Sequence, residues 1–252
     1  MFYAFAMCIA AGLSTGIGGL VTVLSGGISD SKMSFSQGFA AGVMLTVSVF
    51  DLALESFEKY FLYMPARMAL KAVLSLVFTG WIMGAAISGI ALPAPAEENQ
   101  GNTAIVSRTA AITFLVMVLH NLPEGVLTMF AATQDYSSGF RVALAVALHN
   151  LPEGIAVASP VLYLTGNRLR SFMYSLLAGF AEPLGGILAY TLLRKFISPV
   201  FLNGIMPVVA GVMCQAAICE LLPSALRLSN IKHTFYGTIT GIITMSIGLL
   251  AF

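Results

Sequence analysis

The sequence predicts an all-α membrane protein of eight transmembrane helices, in which helices one to three and six to eight form an inverted repeat around a central pair, four and five. Three observations predict it. The chain is 58% hydrophobic and 9% charged, against about 25% charged for a soluble domain, so lipid must be the solvent for most of its surface. Eight apolar stretches of about 20 residues, each long enough to cross a bilayer as a helix, follow one another with short connections. Short motifs also recur at constant offsets. The most specific is the hexapeptide His-Asn-Leu-Pro-Glu-Gly, found at 120–125 and again at 149–154.

Span one, about 2–24, lacks the positive n-region of a cleavable signal and reads as a retained helix. Span two, about 37–57, ends in the acids Asp51, Glu55 and Glu58. Span three, about 69–92, runs into the polar, Pro-rich segment PAPAEENQGNT, read as a short loop at about 93–104 within a single domain covering 1–252. That loop is not His-rich, so no metal-sensing tail is expected. Spans four (105–131) and five (140–163) carry the hexapeptides and join at a turn marked by Asp135 and Tyr136. Span six (171–193) contains Glu182-Pro183, span seven (201–225) contains Gln215 and Glu220, and span eight (234–252) completes the set. The many Gly and Ala residues in these spans permit close helix packing in lipid.

The weaker repeats give the symmetry. Ala11-Gly12 and Gly18-Gly19 of span one match Ala178-Gly179 and Gly185-Gly186 of span six. Ala41-Gly42-Val43-Met44 of span two matches Ala210-Gly211-Val212-Met213 of span seven, and ten residues on Asp51-Leu52 matches Glu220-Leu221. Spans five apart in an up-down bundle point in opposite directions, as do the neighbours four and five. Inverted repeats of this kind build secondary transporters, with the site at mid-membrane on the repeat interface.

Charge excludes some partners and leaves orientation open. A net charge of +1 without a basic cluster gives no reason to expect nucleic acid. Cys8, Cys214 and Cys219 form neither a disulfide framework nor a close zinc pair. Six basic residues fall on each side of the membrane, so the positive-inside rule is tied.

A charged side chain at bilayer mid-depth costs about 2.5–3.5 kcal/mol on insertion scales, so intramembrane His and Glu need partners or a task. His120 and Glu124 are four apart on one helix face, with Asn121 beside the Glu. His149, Asn150 and Glu153 repeat the geometry on the antiparallel neighbour. Together they place two imidazoles, two carboxylates and two amide oxygens about one point, a donor set suited to zinc first and ferrous iron next, with manganese acceptable. Pro123 and Pro152 each remove a helix hydrogen bond and free the carbonyls of Leu119 and Leu148, while Gly125 and Gly154 leave room for a partner helix. Glu182 has no basic residue in its span before Arg194, which makes a metal its expected partner. Asp51, Gln215 and Glu220 are candidate pathway residues; the acids could equally be hydrated at the interface, and Gln215 could be interhelical glue. Cys219 points about 100° from Glu220 and is expected to be buried. His233 is expected to be solvated.

Eight spans, paired His-Asn-x-Pro-Glu-Gly motifs on spans four and five, and Ala-Glu-Pro-Leu-Gly on span six resemble the ZIP (Zrt/Irt-like) family of divalent metal transporters, most nearly its bacterial ZupT-type branch. The resemblance covers essentially the whole chain. It implies metal uptake toward the cytosol, both termini on the non-cytosolic side, and a homodimer. It also implies a binuclear centre: His120, Glu124, His149 and Glu153 at one position, and Asn121, Glu124, Asn150, Glu153 and Glu182 at the other, with the motif carboxylates bridging. Many members carry His or Glu followed by Leu-Leu-Pro on span two, where this chain reads Asp51-Leu-Ala-Leu. The departure puts the entrance or exit residues, and metal preference with them, in question.

The expected function is therefore a metal permease, not an enzyme, carrying Zn2+ (with Fe2+ and Mn2+ as alternatives) and needing no prosthetic group. It would be a multi-pass protein of a bacterial-type inner or plasma membrane, or of an organelle. The rival readings are a non-transporting metal-binding scaffold or sensor, and an intramembrane metal hydrolase; the His-Glu-x-x-His arrangement is absent. Protons compete with metal for two imidazoles that titrate near neutrality. Uptake should thus weaken as pH falls on the binding side, and flux unchanged between about pH 5.5 and 7.5 would show that imidazole protonation does not limit it.

Overall fold

Inside a bilayer every backbone donor and acceptor must be satisfied within its own segment, which leaves the helix as the solution for each apolar stretch. The computed structural model of the protein describes residues 2–91, 102–193 and 198–251, and all regular structure among them is helical. In chain order the helices are α1 (Phe2–Leu24), α2 (Asp30–Phe61), α3 (Ala66–Ala91), α4 (Asn102–Gln134), α5 (Tyr136–Thr165), α6 (168–193), α7 (199–228) and α8 (Ile231–Ala251). Seven of them, α1 to α7, are long and apolar enough among the described residues to cross a membrane, and α8 adds a helix of 21 residues.

Several helices outrun the apolar runs that announce them. The second span was expected over 37–57, yet α2 begins at Asp30, capped by the Ser29 hydroxyl, and ends at Phe61. Hydropathy marks where lipid is, not where the hydrogen-bond ladder stops. The expected polar loop at about 93–104 lies mostly outside the described residues, and its last residues, from Asn102, already belong to α4. The α4–α5 turn is the single residue Asp135, whose carboxylate accepts from the backbone amide of Ser138 at 2.8 Å, a bond that holds its pKa below the ordinary value. At the other end of α5, Gly166 stops the helix in the left-handed conformation at φ 62°.

The packing is two-fold. α1 packs on α5 as α6 packs on α4, and α8 packs on α2 as α3 packs on α7. Exchanging α1 with α6, α2 with α7, α3 with α8 and α4 with α5 maps these contacts onto themselves. Glycines matched in the sequence meet or correspond at the crossings. A methyl on Gly12 would collide with the Gly179 carbonyl, and one on Gly179 with the Gly12 carbonyl. Gly42 lies against the backbone of Thr238, as its counterpart Gly211 lies against Val77. Even irregularities are shared: α2 widens to a π turn over Val47–Ala53 and α7 over Ala217–Leu221, so the matched acids Asp51 and Glu220 both sit in π turns. Such turns often mark functional positions.

Candidate metal centre

α4 and α5 cross with their hexapeptides facing each other. His120, Asn121, Glu124, His149, Asn150, Glu153 and, from α6, Glu182 are all at most 2% exposed. The His and Glu residues pair across the two helices rather than along one. His120 Nε2 lies 3.0 Å from Glu153 Oε2, and His149 Nε2 lies 3.3 Å from Glu124 Oε1. On the far side of its ring, His120 Nδ1 donates to the Val116 carbonyl at 2.9 Å, because a carbonyl can only accept. The two asparagines are held in matching ways. Asn121 Nδ2 donates to the Ala178 carbonyl and Asn150 Nδ2 to the Ala11 carbonyl, both at 3.1 Å, and Ala11 and Ala178 are themselves repeat partners.

These bonds occupy His120 and the asparagine amide donors, leave both ring nitrogens of His149 without a partner, and leave acceptors bare. Asn121 Oδ1, Asn150 Oδ1, both Glu124 oxygens, Glu153 Oε1 and Glu182 Oε2 are buried without a hydrogen-bond partner. Each such atom costs on the order of 1–3 kcal/mol. The 3.3 Å approach of His149 to Glu124 is close enough for an ion pair but is off hydrogen-bond alignment, so it does not satisfy either group. Glu182, for which a metal was the expected partner, has a protein partner on one oxygen, since Asn150 Nδ2 also donates to Glu182 Oε1. Among the described residues, no group of three or more His, Cys, Asp or Glu side chains is arranged to hold a metal as it stands. The donors are present as two pairs plus Glu182, not as a closed cage.

Local sequence explains the close approach. A side chain at Gly125 would strike the backbone carbonyl of Glu182, and one at Gly154 the carbonyl of Thr15. The motif glycines thus seat α6 against α4 and α1 against α5 beside the polar residues. Pro123 and Pro152 lie inside helices that continue through them. The interruption near the site is instead in α6, between Gly179 and Ala181, just before Glu182.

The remaining candidates separate. Asp51 lines a cavity of about 440 Å³ with Glu55, Lys59 and Arg141, where Glu55 and Lys59 pair at 2.6 Å. Glu220 is not simply hydrated: Arg108 of α4 grips both its oxygens, at 3.1 and 3.4 Å. Arg108 was the residue missed, and its position inside the fourth apolar span was the available signal, because an arginine there needs an acid. Gln215 Oε1 accepts from the Ser88 hydroxyl of α3 at 3.4 Å, a contact between helices. Cys219, expected to be buried, is exposed and lines a cavity together with Glu220. His233 is half-buried, with Nδ1 3.2 Å from the Ser229 hydroxyl.

The sequence pattern of the family described as ZIP Zinc transporter matches residues 93–248. Over the whole chain, the protein is 33% identical to the zinc transporter ZupT of Chlorobium chlorochromatii, covering 98% of that protein. It is 35% identical to the ZupT zinc transporter of Streptococcus mutans, with 100% of this chain and 98% of the relative covered. For the ZupT zinc transporter of Escherichia coli O7:K1 the identity is 34%, over 97% of this chain and 95% of the relative. With the doubled motif on crossing helices and a two-fold bundle around it, the chain belongs to the ZIP zinc transporter family.

Proposed function

We propose that this protein carries divalent metal, zinc first and ferrous iron or manganese next, across a bacterial-type plasma membrane toward the cytosol through a binuclear site on α4, α5 and α6. One observation carries the reading: the cross-helix His–Glu pairs are buried among carboxylate and amide oxygens that have no protein partner. With Nδ1–H bound to Val116, Nε2 is the ring nitrogen that faces Glu153; it donates to that carboxylate when protonated and offers its lone pair to a metal that displaces the proton. Either a proton or a metal ion can bridge a nitrogen and an oxygen at that distance, so metal exchanges for a proton here. A nitrogen and an oxygen each about 2.0–2.2 Å from one tetrahedral zinc lie roughly 3.3–3.5 Å apart, matching the 3.3 Å of His149–Glu124 and slightly more than the 3.0 Å of His120–Glu153. Bringing the two pairs together, each opened slightly to admit an ion and with Glu124 and Glu153 shared, would gather donors for two ions; Asn121, Asn150 and Glu182 supply the oxygens of the second.

A site of paired donors rather than a finished cage suits transit, because an ion must leave as well as arrive. The match to a family of transporters argues against the hydrolase reading, and carboxylates committed to metal leave no general base. The reading is tested with purified protein in proteoliposomes holding a zinc-sensitive dye. Saturable influx supports transport. Folded protein that binds zinc tightly and passes none would establish the scaffold instead.

A further inference from the structure

Away from the candidate metal centre, a second cavity of about 500 Å³ opens where α1 ends, α2 begins and α8 begins. Its volume falls within the roughly 300–1,000 Å³ of ligand sites. Val21, Phe35, Phe39 and Ile155 make apolar walls that run inward between α1, α5 and α2. Two further features point to a ligand. Ser159 on α5 is fully buried, lines the cavity and leaves its hydroxyl without a partner. At the mouth stand Lys32 and His233. Lys32 Nζ reaches only the Gly27 carbonyl, at 3.1 Å, and makes no ion pair among the described residues. The nearby acid, Asp30, is engaged by the Tyr163 hydroxyl at 2.8 Å across the helix ends.

We propose that this cavity binds an anionic glycerophospholipid, with an acyl chain between the apolar walls and the phosphate held at the mouth by Lys32 and His233. The place fits the chemistry. The mouth lies at the helix ends, where headgroups sit, and the walls lie at the depth of the chains. Basic pockets between transmembrane helices are the usual receptors of anionic headgroups. A zwitterionic lipid offers the same chain but carries its own ammonium against Lys32, so charge selects between them. The cavity is lined by residues of α1 and α5 on one side and of α2 and α8 on the other.

The test is native mass spectrometry of the whole protein in detergent. Phosphatidylglycerol and phosphatidylcholine of identical chains are added in equal amounts, with and without millimolar inorganic phosphate. The expected result is one retained phosphatidylglycerol per chain, preferred over phosphatidylcholine and undisturbed by phosphate. Lys32→Gln and His233→Gln lie at the rim and leave the fold intact. Lys32→Gln should weaken retention by roughly five-fold, the share of one cation at a membrane surface, and His233→Gln should weaken it by removing a ring N–H donor to the phosphate. Ser159→Leu, which fills the interior, should exclude both lipids. Equal retention of the two lipids, wild-type retention in the rim variants, or displacement by inorganic phosphate would each overturn the proposal.

Discussion

Zinc influx into proteoliposomes should fall by more than about 100-fold when either Glu124 or Glu153 becomes alanine, beyond the 10–100-fold typical for losing a mere supporting partner of a metal ligand. The reason is the crossed pairing. Glu124 faces His149 and Glu153 faces His120, so each carboxylate belongs to the other helix's imidazole. Removing one leaves a buried His with no acid and takes a shared ligand from both metal positions at once. The two variants should therefore be equivalent, as the two-fold requires. Asn121→Ala should act more gently, because it removes one oxygen from one position, along with the hydrogen bond to Ala178. Variants matched for expression and for elution as a single species make the comparison fair. Equal loss in Glu124→Ala, Glu153→Ala and Asn121→Ala would contradict shared carboxylates, and undiminished influx in Glu124→Ala would remove the centre from the transport path.

Much of this arrangement was legible because its signals are local. Period and length give the helices, and the duplicated hexapeptide gives the faces that meet. The matched Ala11-Gly12 and Ala178-Gly179 gave the two-fold, and the structure adds why those residues are small: the backbones touch there. What was not legible depends on partners far along the chain. Glu220 finds Arg108 across 112 positions, and no spacing rule announces such a pair. Cys219 shares with Glu220 a cavity that Arg108 of α4 also lines, and a step along one helix does not announce an opening formed by two. The motif prolines point to α4 and α5, whereas the helix interrupted beside the site is α6, at Phe180, where Pro183 lacks the N–H that would bond the Gly179 carbonyl, a local signal in the sequence. Which oxygen of Glu182 was taken by Asn150 could only come from three helices assembled together.

Gly154→Ala should cost the folded protein stability near the upper end of the about 1–3 kcal/mol typical of overpacking, read as a lower temperature at which the purified protein loses its monodisperse elution peak. The added methyl would meet the carbonyl of Thr15 and the Cα of Gly18, and both obstacles are backbone. A flexible side chain could swing away; a helix backbone cannot, so α1 and α5 must part along their crossing. The two-fold makes a second claim. Gly125→Ala drives its methyl into the carbonyl of Glu182, so it should lose comparable stability. Unlike Gly154→Ala, it should also displace a proposed ligand and depress zinc flux beyond what the loss of folded protein explains. Gly89→Ala on α3 is the control: nothing stands within 4 Å of the new atom, and alanine favours a helix over glycine. It should elute and transport as the parent does. If Gly154→Ala survives heating as well as Gly89→Ala, the helices are not seated on their glycines. The close α1–α5 and α4–α6 crossings would then not be what holds the donors of α4, α5 and α6 together.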